Sequence, residues 1–155
     1  MAQRLGLDLL DDEYVGKARQ MAIVYTAIAA FENAVRKLVE TVLVETFGEH
    51  WWEKGVSERI RRTAETRRAE EEKVKWHGQR GMSLLSYTEM GHLGDIIRNN
   101  WKLFEAYMPS IEWAESIFAV LERSRNVIMH SGSLEAEDVE RVGMNVRDWL
   151  RQVGA

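Results

Sequence analysis

The chain has 155 residues and a formal net charge of −4, with 45% hydrophobic and 30% charged residues. These values are typical of one globular domain covering residues 1–155, and with a negative net charge any contact with nucleic acid must use a local basic patch. No cysteine is present, which excludes disulfides, thiolate nucleophiles and cysteine-based metal sites. There is no apolar run near the roughly 18 residues that cross a bilayer and no secretory-peptide pattern. We therefore expect a cytoplasmic protein that does not bind membranes.

The first predicted element is a long helix that begins near Asp11 and Asp12 and ends at about Phe47, before Gly48. The two carboxylates can cap free N–H groups at its start, and a glycine commonly ends a helix. Its apolar residues recur at spacings of three and four, which predicts a core-facing stripe: Met21, Tyr25, Ile28, Val35, Val39 and Val42. We therefore expect this helix to be central.

A second, mostly charged helix is predicted over Ser57–Trp76. Such charge runs usually form a water-facing helix, stabilised here by ion pairs four residues apart: Arg61 with Glu65, and Arg67 with Glu71. The same helix also offers arginines to phosphates, so Arg59 and Arg62 are candidates for binding RNA. Acidic residues at 70–72 dilute this basic patch.

The rest of the chain predicts three more helices with short connections. A loop over residues 79–86 precedes a third helix within residues 87–108, with Thr88 as its N-cap. After the only proline we expect a fourth helix over residues 111–130 and a fifth beginning at Ser133. Strand patterns are scarce, so the predicted fold is all-α, an antiparallel bundle of four to five helices.

Three polar residues interrupt the apolar pattern of the fourth helix: Arg125, Asn126 and His130. Arg125 falls on the apolar stripe, and a guanidinium buried without a partner is very costly. It must meet a carboxylate, line a wet cleft or face another subunit. Arg125 and His130 lie about 140° apart around the helix axis, so they do not converge easily within one chain. They converge more readily across a two-fold axis, which suggests a site shared by two chains.

A further charge interrupts the apolar stripe of the first helix. Glu32 occupies that stripe, and Arg36 follows one turn later. Two interpretations are open from the spacing. In the first, Glu32 pairs with Arg36 within the helix, and in the second it orients Arg125 or His130 from the adjacent helix.

The run Arg125–His130, R-N-V-I-M-H, resembles the R-x4-6-H signature of the HEPN superfamily. Glu32 and Arg36 are similar to its second motif, E-x3-[KR], and residues 87–104 resemble a branch of HEPN domains fused to RNA-surveillance endonucleases. The resemblance implies an α-helical bundle that dimerises through the Arg125–His130 helix. It also implies a metal-independent endoribonuclease without a cofactor.

The resemblance further implies roles for these residues. A ribose 2′-OH serves as the nucleophile, and His130 is suited to proton transfer near neutral pH. Arg125 would bind the phosphate oxygens bidentately, and Asn126 would hydrogen-bond His130 or the phosphate. Glu32 and Arg36 would support these groups. The implied products are a 2′,3′-cyclic phosphate and a 5′-hydroxyl, so DNA should resist cleavage.

Other interpretations remain open. The motif residues can simply interact with the negative end of their helix dipole and a neighbouring acid. The chain can also be a non-catalytic HEPN module that binds RNA or nucleotides, or that dimerises within a larger RNA-processing or defence protein. In the catalytic case a toxin or antiphage-defence role is an expectation, with an antitoxin or a fused domain as a further partner. Arg123 is an additional candidate for RNA binding, and no third ligand accompanies His50 and Glu53, so we expect no metal.

Overall fold

The computed structural model describes residues 1–154, and every regular element in that range is helical. The α-helices are α1 (Asp12–Phe47), α2 (Trp51–Gly55), α3 (Glu58–Glu72), α4 (Met90–Asn99), α5 (Trp101–Phe104), α6 (Ile111–Met129) and α7 (Ala136–Val153). Short 3-10 turns connect some of them. The all-α bundle is therefore confirmed, with α2 and α5 as short additions to five longer helices. None of the helices in residues 1–154 has the length and apolar character that a bilayer span requires.

Helix α1 lies at the centre of the bundle and contacts α2, α4, α5, α6 and α7. Both predicted ends are confirmed, because the Asp11 carboxylate accepts a hydrogen bond from the Glu13 N–H at 2.9 Å and Gly48 follows the last turn with a φ of 64°. The apolar stripe is buried as predicted, except that Tyr25 is 37% exposed. Tyr25 therefore lines the surface beside α6 rather than the core.

Helix α3 ends at Glu72, so the predicted end at Trp76 is wrong. Beyond Glu72 the backbone hydrogen bonds span three residues, with the Val74 N–H donating to the Glu71 carbonyl at 3.0 Å and the His77 N–H to the Val74 carbonyl at 3.1 Å, so the chain forms turns. Arg80 in this segment folds back onto Glu71, with its backbone N–H 3.1 Å from one carboxylate oxygen and its Nε 2.8 Å from the other. These contacts hold the segment after α3 against the end of that helix.

The ion pairs predicted within α3 do not form. Arg61 donates to the Val56 carbonyl at 3.0 Å, and Arg67 donates to the Tyr87 carbonyl at 3.1 Å. These backbone acceptors are closer than the predicted carboxylates because α3 packs against its own entry turn and against residues 84–87. The pairs that do form within α3 are Arg62 with Glu58 and Arg68 with Glu72.

The third predicted helix is interrupted, and its N-cap is Glu89 rather than Thr88. The Thr88 hydroxyl donates to the Leu85 carbonyl at 2.6 Å and is buried, so it is not available to cap the helix. The His92 Nδ1 instead accepts from the Glu89 N–H at 3.0 Å. At the other end of α4, the Asn100 amide donates to the Gly55 carbonyl at 2.8 Å and separates α4 from α5.

Helix α6 begins as predicted, with the Ser110 hydroxyl accepting from the Trp113 N–H at 3.1 Å. It ends at Met129, where the Gly132 N–H donates to the Val127 carbonyl at 2.8 Å. A Cβ at Gly132 would lie 2.9 Å from that oxygen, so only glycine allows the backbone to approach the last turn of α6 this closely. Helix α7 then begins at Ala136, and the predicted start at Ser133 is wrong because the N-cap is Glu135.

An aromatic cluster fixes α6 and α7 against α1. The Trp149 ring stacks on Trp113 with centroids 5.7 Å apart and lies 5.5 Å from Phe31 and 5.3 Å from Phe118. Trp149 is 2% exposed, so the cluster is part of the core. Aromatic contacts of this kind contribute beyond their buried area. They hold the N-terminal half of α6 against α1 and α7, and Arg125 follows about two turns after Phe118 on the same helix.

Candidate functional site

The C-terminal end of α6 presents its polar residues on two adjoining surfaces. Arg125 and Asn126 line a polar cleft of about 600 Å³ between α1, α6 and residues 86–90. Asn126 and His130 line a shallow depression of about 580 Å³ along the outer face of α6. Asn126 and His130 are exposed, and the Arg125 side chain is 38% exposed. All three groups are therefore accessible to a ligand.

Glu32 connects α1 to the motif residues. Its side chain is 10% exposed, with one carboxylate oxygen 3.4 Å from Arg125 Nε and the other 3.6 Å from an Arg36 terminal nitrogen. Glu32 therefore contacts both arginines. It pairs with Arg36 within α1 and also contacts Arg125 on α6, so the two interpretations left open by the spacing are both correct for these residues. One carboxylate between two guanidiniums leaves this group of three with a net positive charge. The rest of the cleft adds one arginine and two glutamates, Arg80, Glu89 and Glu122, so the charges that line it balance.

Arg36 also joins the site to the segment before α4. Its Nε donates to the Leu85 carbonyl at 3.1 Å, and a terminal nitrogen donates to the Thr88 carbonyl at 2.9 Å. Burial is the main cause that lowers the pKa of Arg36, and the charge of Glu32 opposes it. Because the guanidinium still stays charged, these carbonyls and Glu32 supply the partners that its burial requires. Arg36 is thus a structural link between α1 and residues 85–88.

His130 occupies the position after the last residue of α6. Its backbone N–H donates to the Asn126 carbonyl at 3.2 Å, while its ring makes no hydrogen bond to any group in residues 1–154. The exposed imidazole thus keeps both nitrogens available for proton transfer or for a ligand. Arg125 and His130 do not line the same cavity in one chain, as their separation around the helix axis predicts.

The three residues suggested for RNA binding lie on two different surfaces. Arg123 lines the same depression as His130 and makes no ion pair within residues 1–154. Arg59 and Arg62 are exposed on α3, where each is already paired, with Asp95 at 3.1 Å and Glu58 at 2.6 Å respectively. The chain therefore brings Arg123 to the motif but leaves Arg59 and Arg62 on a separate helix.

Glu122 belongs to the site but was missed by the sequence interpretation. It lines both the polar cleft and the outer depression, four residues before Asn126 and eight before His130. That spacing along one helix face is the signal that identifies it. Arg80 and Ser86, which also line the cleft, come from the segment predicted as a loop, and no local spacing points to them.

No group of three or more His, Asp or Glu side chains is placed to hold a metal ion within residues 1–154. The polar groups of the site are one imidazole, carboxamides, guanidiniums and the carboxylates of Glu32 and Glu122. Guanidiniums bind phosphates through charge-assisted hydrogen bonds, and an imidazole transfers protons near neutral pH. The arrangement is suited to recognising a phosphodiester.

A comparison with known families agrees with the helical fold. A family model described as Swt1-like HEPN matches residues 26–154, and the chain belongs to that family. The match includes Glu32, Arg36 and the whole Arg125–His130 run. HEPN membership indicates an RNA-related function of the ribonuclease type. Neither the curated proteins nor the solved structures contain a match to this chain.

Proposed function

We propose that this protein is a metal-independent endoribonuclease whose site combines Arg125, Asn126 and His130 from two chains. The observation that carries the proposal is the accessibility of all three groups at one helix end, with Arg125 oriented by the buried Glu32. A purely structural role would not require an exposed imidazole and an exposed carboxamide beside a pre-oriented guanidinium.

The chemistry follows from what each group can do. The ribose 2′-OH attacks the adjacent phosphorus while an imidazole accepts its proton. The bond from phosphorus to the 5′-oxygen breaks, and that oxygen receives a proton. Arg125 binds the phosphate oxygens as negative charge develops on them. With two His130 side chains in a dimer, one acts as the base and the other as the acid.

The dimer is proposed because Arg125 and His130 do not line one cavity within a single chain. Val127, 37% exposed, lies in the outer depression between Arg123 and His130 and provides an apolar contact for a second copy. A two-fold axis along this face brings the motif residues of the partner towards those of the first chain.

Cleavage of a labelled RNA in the presence of EDTA tests the proposal. We expect Arg125→Ala and His130→Ala each to lower the rate at least about a hundredfold, the usual contribution of a general acid or base. His50→Ala, which alters another exposed histidine, is the matched control and should cut normally. A substrate with a single 2′-deoxy ribose should be spared at that position. Normal cleavage by both motif variants would contradict the site.

A separate experiment tests the shared site. Val127→Glu places a charge in the proposed interface, so we expect a monomer in sedimentation experiments and loss of cleavage. Val44→Glu, at a similarly exposed valine on α1 (41%), is the control and should remain dimeric and active. A monomeric wild-type protein that cuts RNA would overturn the shared site but not the chemistry.

A second candidate function rests on the pairing of Arg125 with Glu32. In one chain this arginine is already partly neutralised and does not adjoin His130. Those features fit a non-catalytic module that binds RNA or mediates dimerisation within a larger RNA-processing or defence assembly. RNA binding without turnover at any enzyme concentration supports this candidate. Toxin or antiphage-defence activity, with an antitoxin or fused domain as partner, remains part of the proposal for the catalytic case.

A further inference from the structure

The polar cleft beside Arg125 extends well beyond the motif. Three regions of the chain form its walls, and its volume of about 600 Å³ lies within the range of small-ligand sites. Glu32 and Arg36 line its buried part, where each already has partners. The remaining wall carries polar groups that the proposed chemistry does not use, namely Tyr25, Asn33, Arg80 and Ser86, together with the carboxylates of Glu89 and Glu122.

These groups can recognise a nucleotide. The Asn33 side-chain oxygen accepts from Arg36 at 3.2 Å, which orients the carboxamide and leaves its amino group without a partner in residues 1–154. The hydroxyls of Ser86 and Tyr25 likewise make no side-chain hydrogen bond in that range. Oriented amides and hydroxyls read the edges of unstacked bases, and an aromatic ring offers a stacking surface.

Arg80 is held ready at the same cleft. Its Nε lies 2.8 Å from a Glu71 oxygen, its backbone N–H is 3.1 Å from the other, and its guanidinium carbon lies 5.7 Å from the centre of the Tyr87 ring. The Arg80 side chain is still 49% exposed. Glu71 and Tyr87 fix its position, so little rotamer entropy is lost when a phosphate binds to the exposed side of the guanidinium while Glu71 stays in place.

We propose that this cleft binds the RNA nucleotide next to the scissile phosphate, with Asn33 reading the base and Arg80 binding the outer phosphate. The inference rests on the proposed function, since it takes the scissile phosphate to lie at Arg125. Arg125 and Asn126 line the cleft, so a nucleotide in it is continuous with the phosphate they bind. Asn33 and Arg80 are specificity-determining residues rather than members of the reacting set.

Binding of short, uncleavable RNA tests this assignment independently of turnover. The probes are four fluorescent 2′-O-methyl hexamers, each of one base, and the readout is fluorescence anisotropy. We expect the wild type to prefer one base, and Asn33→Ala to reduce that preference to less than about twofold among the four probes. We expect Arg80→Ala to weaken all four probes about tenfold, as for the loss of one charge-assisted contact.

Two control variants isolate the cleft. Asn99→Ala alters an exposed asparagine on α4, and Arg151→Ala removes one exposed positive charge from α7. Both should bind like the wild type. Because Arg80 also contacts Glu71 and Tyr87, unfolding curves of Arg80→Ala show whether the variant is still folded. Asn33 is exposed, so the result for Asn33→Ala does not depend on those contacts.

The failure of this inference is distinguishable from that of the proposed function. If Arg125→Ala and His130→Ala lose cleavage while Asn33→Ala and Arg80→Ala bind all probes normally, the nucleotide site is overturned and the ribonuclease stands. If the wild type cuts no RNA but Asn33→Ala loses base preference, the ribonuclease fails and the cleft is retained as an RNA site. A wild type that binds none of the four probes overturns the inference directly.

Discussion

Two arginine-containing regions of the molecule differ in what their charges do. On α3, Arg59 and Arg62 extend into solvent, each beside an exposed carboxylate. At α6, Arg125 meets the buried Glu32, which also contacts Arg36 from α1. Surface pairs contribute little to stability and exchange partners readily, whereas a buried carboxylate holds its arginines in a fixed geometry. Whether an arginine is held by a buried carboxylate therefore matters more for its role than the number of arginines nearby.

The largest expected contrast is in cleavage after replacement of arginine by lysine. We expect Arg125→Lys to reduce the cleavage rate at least about tenfold, because lysine keeps the charge but cannot form two parallel hydrogen bonds to a phosphate. Arg62→Lys should leave the rate within about twofold, since a surface contact depends mainly on charge. Single-turnover rates on one RNA substrate measure both. Equal losses would remove the distinction between the two regions.

The next contrast is in folding stability. Glu32→Gln leaves two guanidiniums without their shared carboxylate, and we expect it to lower the free energy of unfolding by about 2 to 3 kcal/mol. This lies below the usual cost for a fully buried pair because Arg125 is partly exposed. Glu58→Gln, which removes the exposed partner of Arg62, should cost less than about 0.5 kcal/mol. Urea unfolding measures both, and similar values would contradict the buried arrangement.

RNA affinity gives a smaller contrast. We expect Arg123→Ala to weaken binding about fivefold and to lower the slope of log affinity against log salt by about 0.7, the value for one contact with single-stranded nucleic acid. The double variant with Arg59→Ala and Arg62→Ala should weaken RNA binding no more than about threefold, because each arginine must first leave its carboxylate before it binds a phosphate. A salt titration of anisotropy measures the slopes. A steeper loss in the α3 double variant would make α3 the main RNA surface.

The smallest effect concerns pH and the start of α4. Desolvation is the main cause that lowers the pKa of His92 below its ordinary 6.5, with Arg67 and Arg59 acting in the same direction and Glu89 and Asp95 opposing. The neutral ring accepts from the Glu89 N–H, and a protonated ring cannot. The contribution of this cap is therefore present above pH 6.5 and is lost as the pH falls below it.

We expect that loss to be about 1 kcal/mol at most, the usual value of a helix cap. His92→Gln keeps an acceptor at the same position without a titrating group. Its unfolding free energy should therefore vary less than that of the wild type between pH 7 and pH 5, a range of about two units that includes an ordinary histidine pKa. Unchanged pH dependence in His92→Gln would show that the cap does not titrate.

Local patterns predicted those features that depend on neighbouring residues. The ends of α1 and the start of α6 follow from caps supplied by Asp11, Gly48 and Ser110 within a few residues of each helix end. Thr88 was predicted to cap α4 by the same reasoning. That assignment was wrong because the Thr88 hydroxyl bonds back to Leu85 instead. Competing local partners of similar strength are not distinguished by residue type alone.

The sequence by itself determined that the chain is helical, where α1 and α6 begin, and that Arg125, Asn126 and His130 interrupt an apolar helix. Only the tertiary structure decided that Glu32 lies between Arg36 and Arg125 and that Arg36 holds carbonyls 49 and 52 residues away. Helical period and capping act over a few residues, so they are readable along the chain. The partners of a buried charge depend on which helices pack together, and that is set by the burial of the whole core.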